Sequence, residues 1–257
     1  YFAAQGMIYV VVIVPDKWSV YSEQLPASVG TPAERTSADQ FLAYLRAETD
    51  LKILDLKDHL RSQRWQQGPL YHQIDSHWND LGAFVAAGEM ARFVGQYDER
   101  VQPLSPAERA LVWSRKTDGD LAALLGLEGW LAENEPQVPT LEKGLLAVEN
   151  LPRPRYSPNA NRYPIHTRQE GTDLPRVLVL RDSYGDALLP WLARSFSESR
   201  WVWTSNVRRH SIQPVLDEVQ PHIVIEEKAE KYLTFPIRYF TAPGRSAVVD
   251  HRSKKGK

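Results

Sequence analysis

Two segments far apart in the sequence carry side chains that together could perform nucleophilic catalysis. The first contains Asp75 and His77, and the second contains Ser183. A serine hydroxyl becomes a good nucleophile when an imidazole takes its proton, and a carboxylate holds that imidazole in the correct tautomer and orientation. These residue types indicate a triad in which Ser183 attacks, His77 acts as base and Asp75 orients the base.

The same residues also have structural explanations. In an extended segment, residues two apart project to the same side, so Asp75 can approach His77, but a loop in which His77 packs beside the next helix is an equal alternative. Asp182 or Ser183 could cap the helix that follows. A further alternative is a metal site with ligands drawn from Asp75, His77, His72 and Asp80. No recognised zinc or calcium spacing supports that site, so the sequence predicts no metal and no other cofactor.

Apolar segments that alternate with helical periodicity predict the sheet that must position these groups. The predicted strands are Met7–Val14, Leu51–Leu54, Val177–Leu180, Trp201–Thr204 and Ile223–Ile225. The predicted helices begin at Ser37 and Asn79 and extend over Asp55–Trp65, Tyr184–Phe196 and Ser211–Val219. Continuously apolar strands between helices are typical of parallel sheets. The sequence therefore predicts a three-layer α/β/α sandwich with a mainly parallel sheet of about five strands.

The predicted sheet gives Ser183 an informative position. Ser183 follows a strand and opens a helix, which is where open parallel sheets bind their ligands. Backbone N–H groups in the first turn of a helix have no intrahelical partners, so an oxyanion forming beside Ser183 would find donors there. Gly185 would let a substrate approach closely, and His77 lies just before the helix that begins near Asn79.

Residues 99–175 interrupt the alternation of strands and helices. They are expected to form two short helices, Pro106–Arg115 and Leu121–Ala132, followed by a proline-rich stretch. We interpret them as an insertion or lid within a single catalytic domain that spans residues 1–242. Residues 243–257 are polar and basic and are predicted to form a flexible tail.

Composition excludes several classes of protein. The 257 residues have a net charge of -1, so no global field favours nucleic acid or an anionic membrane. Cysteine is absent, which excludes disulfides, thiolate metal sites and cysteine nucleophiles. The longest apolar run, Met7–Val14, is much shorter than the roughly 20 residues that span a bilayer as a helix. Because the chain begins with Tyr1, we expect a natural N-terminus with a signal peptide or anchor to be missing.

Four segments of the chain resemble the AlgX/AlgJ-like branch of the SGNH hydrolases. They are Val14–Lys17 with Tyr21 and Leu25–Pro26, Asp75–Trp78 with Gly82–Ala83, Leu180–Tyr184, and Pro221–Glu226. The resemblance implies an SGNH hydrolase-like fold in which Asp75, His77 and Ser183 form the catalytic triad. The Asp-x-His element precedes the serine, which is the reverse of ordinary SGNH esterases and is consistent with a circularly permuted arrangement.

The sequence departs from the usual pattern around the serine. Arg181 stands where a Gly-Asp-Ser motif has its glycine, and no asparagine-bearing block for the oxyanion is evident. Residues near the predicted strand ends and beside the triad are therefore the candidates for substrate binding or oxyanion stabilisation. These candidates are Tyr184, Gly185, Asn206, Arg208, Arg209, Lys17, Tyr21 and Trp78. Trp78 offers a flat ring that could stack on a sugar, although core packing is the ordinary role of such a residue.

The resemblance implies an O-acetyltransferase that acts on a bacterial exopolysaccharide such as alginate through an acetyl-serine intermediate. It further implies a periplasmic location and an acetyl donor supplied by a membrane acyltransferase partner. Two alternatives remain open at the level of sequence. One is a carbohydrate acetylesterase that uses the same triad with water as acceptor, and the other is a non-catalytic polysaccharide-binding protein of an export complex.

Overall fold

The computed structural model describes residues 1–30, 35–66, 68–104, 111–139, 147–151, 163–204 and 209–233. Its strands are β1 (Ile8–Val14), β2 (Lys52–Asp55), β3 (Val112–Lys116), β4 (Glu133–Gln137), β5 (Ala147–Asn150), β6 (Ile165–Arg168), β7 (Arg176–Arg181), β8 (Glu198–Trp203) and β9 (Ile223–Ala229). Its α-helices are α1 (Lys17–Val20), α2 (Ser37–Glu48), α3 (Lys57–Gln63), α4 (Asp80–Val94), α5 (Asp120–Leu124), α6 (Gly185–Leu192) and α7 (Arg209–Val219). Among these helices of the described ranges, none is long and apolar enough to cross a membrane.

The main sheet has the strand order β2-β1-β9-β7-β8-β6-β5 over the described residues. The first five strands in that order run parallel to one another. These five are the predicted strands, so the expectation of a mainly parallel α/β sandwich is confirmed. The last two, β6 and β5, extend the sheet in the antiparallel sense.

The alternation of side chains along β7 shows how the sheet separates two layers of helices. Val177 and Val179 face the core formed with α4 and α6, while Leu178 and Leu180 face the core that contains residues of α7. Successive side chains of a strand point to opposite faces, so a strand covered on both sides must be apolar throughout. This requirement explains the continuous apolar runs in the sequence.

The predicted insertion differs from its expected helical structure. Residues 112–116 form β3, which pairs antiparallel with β4, whereas a helix was expected over Pro106–Arg115. The second expected helix, Leu121–Ala132, is shorter, because α5 ends at Leu124 and Gly126 takes a positive φ of 68°. The structure here depends on pairing between distant segments, and local periodicity in the sequence does not reveal such pairing. The proline-rich stretch at 152–162 and the predicted tail lie outside the described residues.

The sheet order brings three strand ends together at one edge. β9 lies between β1 and β7, and all three strands run in the same direction. Their carboxyl ends deliver Asp16 and Lys17 after β1, Ser183 after β7 and Lys231 after β9. In parallel α/β sheets this edge is the usual location of ligand sites.

Candidate active site

Asp75, His77 and Ser183 form a continuous chain of hydrogen bonds at the carboxyl edge of the sheet. His77 Nδ1 lies 2.7 Å from Asp75 Oδ1, and His77 Nε2 lies 2.7 Å from Ser183 Oγ. All three residues are partly buried. The arrangement gives the imidazole a carboxylate on one nitrogen and a hydroxyl on the other, which is the geometry that serine activation requires.

The approach of Asp75 to His77 depends on a turn. Asp75 Oδ1 accepts a hydrogen bond from the His77 backbone N–H at 2.9 Å, and the same oxygen is the one that contacts the imidazole. A carboxylate that binds the N–H two residues later forms an Asx turn, so the segment is bent rather than extended. The predicted pairing is therefore present in the geometry, but the physical reason is the turn and not the alternation of an extended strand.

The hydrogen bonds around Asp75 favour its ionised form. Burial by itself raises the pKa of Asp75, but the bonds from the His77 ring, from the His77 N–H and from the Asp120 N–H outweigh burial, so the pKa lies below its ordinary value. An ionised Asp75 can accept from Nδ1–H, and this leaves Nε2 of a neutral imidazole free to accept the serine proton.

The segment that carries Asp75 and His77 is held at both ends. Tyr71 and Trp78 form an isolated antiparallel bridge, and the Trp78 indole N–H donates to the Tyr184 carbonyl at 3.1 Å. Lys17 Nζ donates to the Gln73 and Asp75 carbonyls at 3.0 and 3.2 Å. The candidate Lys17 therefore supports the backbone of the triad segment, with its ammonium directed at two carbonyl oxygens.

Tyr184 connects the histidine segment to the serine turn. Its hydroxyl donates to the Ser76 carbonyl at 2.9 Å, and its ring centroid lies 4.6 Å from that of His77. Burial raises the pKa of Tyr184, with smaller contributions from Asp16 and Asp182, so the phenol stays protonated as a donor. Tyr184 is only 1% exposed, which places it beneath the imidazole as a packing and positioning group.

The turn that bears Ser183 is anchored by two buried carboxyl groups. Asp182 accepts hydrogen bonds from the Tyr184 N–H through Oδ1 and from the Ala229 N–H through Oδ2. The Asp182 N–H in turn donates to Glu227 Oε2 at 2.9 Å. Burial raises the pKa of Glu227 far above its ordinary value, and the nearby Asp182 charge adds to this effect. The serine turn is thus tied to β9, the neighbouring strand.

Asp120 is a site residue that the sequence did not indicate. Its carboxylate accepts hydrogen bonds from the Ser76 N–H and the Ser76 hydroxyl, and its backbone N–H donates to Asp75 Oδ2 at 3.2 Å. Asp120 Oδ2 also lies 3.8 Å from His77 Nδ1. Asp120 begins α5 within the insertion, and no spacing relative to Asp75 or His77 points to it. The segment that was predicted to be an insertion therefore contributes directly to the surroundings of His77.

Three residues that were predicted to bind substrate instead pack inside the protein. Trp78 is 1% exposed, so its ring packs in the core and cannot stack on a sugar. The Tyr21 hydroxyl accepts from the Leu70 N–H at 2.8 Å, and its side chain is buried. Gly185 faces the buried Arg181 side chain, because a Cβ at that position would lie 2.6 Å from Arg181 Cδ. The absence of a side chain at Gly185 therefore makes room for Arg181. The sequence had suggested that it would let a substrate approach.

The remaining oxyanion candidates lie at or beyond the edge of the described chain. Asn206 and Arg208 are outside the described residues, and Arg209 is placed only as the first residue of α7.

Comparison with known proteins shows which family the chain belongs to. The sequence model of the SGNH hydrolase-like domain of acetyltransferase AlgX matches residues 1–152, which is more than half of the chain. The chain belongs to this AlgX family. The matched residues include Asp75 and His77 but end before Ser183, so the serine is connected to the site by geometry and not by the family match. No curated protein sequence matches the chain.

Solved structures with the same fold include proteins from Bacillus and Pseudomonas species. Bacillus cereus PatB1 with a sulfonyl adduct has a TM-score of 0.67 at 17% identity, over 94% of this chain and 88% of that one. The O-acetyltransferase domain of Pseudomonas putida AlgJ has a TM-score of 0.51 at 20% identity, over 91% and 79%. Pseudomonas aeruginosa AlgX has a TM-score of 0.53 at 18% identity, over 89% and 52%. At these identities the likeness shows the shared fold.

The side chains around His77 are poorly suited to binding a metal ion. Asp75, His77 and Asp120 have ligand atoms within 4.8 Å of one another, but these atoms already hydrogen bond to each other and to Ser76. The other ligands considered from sequence point elsewhere. His72 Nδ1 lies 3.2 and 3.1 Å from Glu133 and Glu135, and Asp80 accepts from the Val138 N–H and the Trp191 indole.

Proposed function

We propose that the chain is an O-acetyltransferase that transfers acetyl groups to hydroxyls of a bacterial exopolysaccharide, with Ser183 as nucleophile, His77 as base and Asp75 as the orienting carboxylate. The observation that carries the proposal is the hydrogen-bond chain from Asp75 through His77 to Ser183 at the carboxyl edge of a parallel sheet. Membership of the AlgX family, whose model is described as an acetyltransferase, supports acyl transfer as the reaction class.

The first half-reaction forms an acetyl-serine. His77 Nε2 takes the proton of Ser183 Oγ while that oxygen attacks the acetyl carbonyl carbon of the donor. The tetrahedral intermediate collapses, the bond to the donor's leaving group breaks, and the imidazolium returns the proton to that group. Asp75 stabilises the imidazolium that exists between these proton transfers.

The second half-reaction moves the acetyl group to a sugar. A sugar hydroxyl transfers its proton to His77 Nε2 and attacks the acetyl carbonyl carbon. The acyl bond to Ser183 then breaks, and His77 returns the proton to Oγ. The backbone N–H of Ser183 has no acceptor among the described residues, and the Tyr184 N–H is bound to Asp182, so the Ser183 N–H is the proposed oxyanion donor.

The substrate and the cellular setting belong to the same proposal. The names of AlgX and AlgJ and the AlgX family match suggest an alginate-like polymer as the acceptor. We extend the proposal to a periplasmic location and to an acetyl donor delivered by a membrane acyltransferase partner.

Replacement of Ser183 tests the nucleophile. Ser183→Ala is expected to reduce the turnover of p-nitrophenyl acetate by about 10⁴-fold or more, as the loss of a triad member does. PatB1 carries a sulfonyl adduct, which recommends phenylmethylsulfonyl fluoride as a probe. The wild-type protein should gain one sulfonyl group, located on Ser183 by peptide mass spectrometry. Ser62→Ala, an exposed serine on α3, is the matched control and should react normally.

Three results would count against this function. Unchanged ester turnover and labelling in Ser183→Ala would show that another residue is the nucleophile. The absence of both turnover and labelling in the wild-type protein would favour a non-catalytic binding protein. Release of acetate alone in the presence of saturating oligosaccharide, with no acetylated sugar, would assign the triad to an esterase.

A further inference from the structure

A cavity of about 360 Å³ opens beside the triad segment. Its volume is within the range of small-molecule sites, about 300–1,000 Å³. Its walls come from the segment after β1, the triad segment, α5 and the segment after β9. The lining residues that matter here are Asp16, Trp18, Gln24, Ser76, Leu121 and Lys231. Four separate parts of the chain thus converge on one space.

The cavity is adjacent to both halves of the triad. Ser76, which lies between Asp75 and His77 in the chain, forms part of its wall. On the serine side, Lys231 Nζ lies 5.5 Å from the centroid of the Tyr184 ring, and Tyr184 directly follows Ser183. A molecule bound in the cavity would therefore lie against the segments that hold the base and the nucleophile.

Trp18 gives the wall an accessible aromatic ring, because it is 56% exposed although it borders the cavity. Asp16 is 5% exposed and its Oδ2 is fully buried, so that oxygen lies behind the wall and out of reach of a ligand hydroxyl. The groups of the wall that a ligand can reach are therefore the Trp18 ring and the polar side chains other than Asp16.

The combination of a flat apolar ring with several polar groups matches the surface of a sugar. A pyranose presents C–H groups on its faces and hydroxyls around its rim. The Trp18 ring suits the face, while Gln24, Ser76 and Lys231 can accept or donate hydrogen bonds at the rim. An acyl chain would leave those polar groups without partners, so the wall favours a carbohydrate over a longer acyl donor.

We propose that this cavity is the subsite for the acceptor sugar, in which Trp18 stacks on the ring while Gln24 and Lys231 form hydrogen bonds to its hydroxyls. This inference rests on the proposed acetyl transfer and specifies where its acceptor binds. It also distinguishes the two half-reactions. Acetylation of Ser183 requires only the triad, whereas transfer to the polymer requires the cavity as well.

The test measures the two half-reactions separately. p-Nitrophenol release without acceptor reports acetylation of Ser183. Mass spectrometry of cellohexaose, chitohexaose and hexamannuronate, each incubated with p-nitrophenyl acetate, reports transfer to neutral, N-acetylated and uronic sugars. Quenching of tryptophan fluorescence by the same three oligosaccharides, measured on Ser183→Ala, reports binding without turnover.

Trp18→Ala is expected to raise the half-saturating concentration of the preferred oligosaccharide by about tenfold or more, while p-nitrophenol release without acceptor changes less than about twofold. Trp18→Phe should retain part of the binding because it retains an aromatic face. Gln24→Ala should raise the same concentration by several-fold, since its hydrogen bonds to the sugar hydroxyls are lost. Trp113→Ala is the matched control, because Trp113 is 51% exposed on β3 and does not line the cavity.

Three results would overturn the subsite. The first is an acceptor dependence in Trp18→Ala equal to that of Trp113→Ala. The second is a selective loss of butyryl ester turnover relative to acetyl ester turnover in Trp18→Ala, which would assign the cavity to the acyl donor. The third is the absence of both binding and acetylation for all three oligosaccharides. The triad proposal is judged separately, by ester turnover and sulfonyl labelling in Ser183→Ala.

Discussion

Two aspartates act on His77 from different directions. Asp75 contacts the imidazole directly, whereas Asp120 acts through Ser76 and through its backbone N–H to Asp75. A contact to the reacting imidazole affects each proton transfer, while a contact to the supporting segment affects only its geometry. The two aspartates should therefore differ strongly in their effect on catalysis.

Asp75→Asn should lower kcat for p-nitrophenyl acetate by about 10⁴-fold, because the amide cannot hold the imidazole in the required tautomer. Asp120→Ala should lower kcat by only about tenfold, because the Asp120 backbone N–H is retained and the Ser76 contacts are lost. The measurement is steady-state kinetics from pH 5 to 9, approximately. Asp118→Ala, which changes an exposed aspartate in the same segment, should match the wild type. Equal effects of Asp120→Ala and Asp118→Ala would contradict the role given to Asp120.

At the residue scale, the sequence indicated the three residues of the proposed triad but not their surroundings. Asp75 and His77 are recognisable because their spacing is local, and Ser183 because it follows an apolar strand. Asp120, Asp16 and Glu227 have no local signature, since each becomes important only when the folded chain brings a distant segment to it. The burial of Trp78 could not be predicted either, because a tryptophan side chain suits a sugar-binding surface as well as a core.

At the level of elements, α4 shows how one helix positions the triad segment. Gly82 lies in the first turn of α4, where a Cβ would be 2.1 Å from the Leu70 carbonyl oxygen. The helix can pack against the backbone that leads into the triad segment only because Gly82 has no side chain. Gly88 lies later in the same helix, and a Cβ there would have nothing within 4 Å.

Gly82→Ala and Gly88→Ala should therefore have opposite effects on stability. Gly82→Ala should lower the free energy of unfolding by about 2 kcal/mol or more, because the backbone around Leu70 must move. It should also reduce kcat, because that movement is transmitted to the segment of Asp75 and His77. Gly88→Ala should raise the free energy of unfolding by about 0.5–1 kcal/mol, as expected for alanine in a helix. Urea denaturation measures both, and a stable, fully active Gly82→Ala protein would contradict the packing argument.

The elements themselves were predictable where their patterns were strong. The five parallel strands and the amphipathic helices have continuous or periodic apolar residues, so their existence followed from the sequence. The antiparallel pair β3 and β4 was not predictable, because β3 is largely exposed and its polar partner strand contains Pro136. Its paired residues lie 17 to 25 positions apart in the sequence, a separation that local periodicity does not report.

For the whole molecule, buried carboxyl groups determine how stability depends on pH. Burial, with a further contribution from Glu230, raises the pKa of Asp16 to about 6, and burial raises that of Glu227 as well. A carboxyl with a raised pKa keeps its proton in the folded state when the unfolded chain has lost it. Stability therefore falls as the pH rises from the unfolded pKa to the folded pKa. Asp75 has the opposite shift, so its contribution is lost as the pH falls below about 4.

The pKa values of the His72 and His222 imidazoles are lowered, mainly by burial, and this acts in the opposite sense below about pH 6.5. A variant is therefore needed to isolate the effect of Asp16. Ionisation of Asp16 should by itself lower the free energy of unfolding by about 2 kcal/mol between about pH 4 and 7, and Asp16→Asn should remove this loss because the amide does not ionise. Urea denaturation at several pH values measures the curve. Asp118→Asn should leave it unchanged. A difference between Asp16→Asn and the wild type that does not change with pH would contradict the raised pKa of Asp16.

The arrangement of the strands and helices could be predicted only partly from the sequence. The fold class followed from the alternation of strands and helices, but the strand order did not, since strand neighbours are selected by packing across the whole sheet. Thus Lys231, near the end of the described chain, and Lys17, near its beginning, line one cavity although no local pattern relates them.

The position of β9 has a consequence for synthesis. β9 is the last strand of the described chain, yet it lies between β1 and β7, which do not pair with each other among the described residues. A nascent chain that has emerged only through β8 lacks the strand that joins the half carrying Asp16 to the half carrying Ser183. It also lacks the Glu227 and Ala229 groups that anchor the serine turn. Ribosome-bound chains should therefore gain ester-cleaving activity late and in one step, when β9 has cleared the exit tunnel.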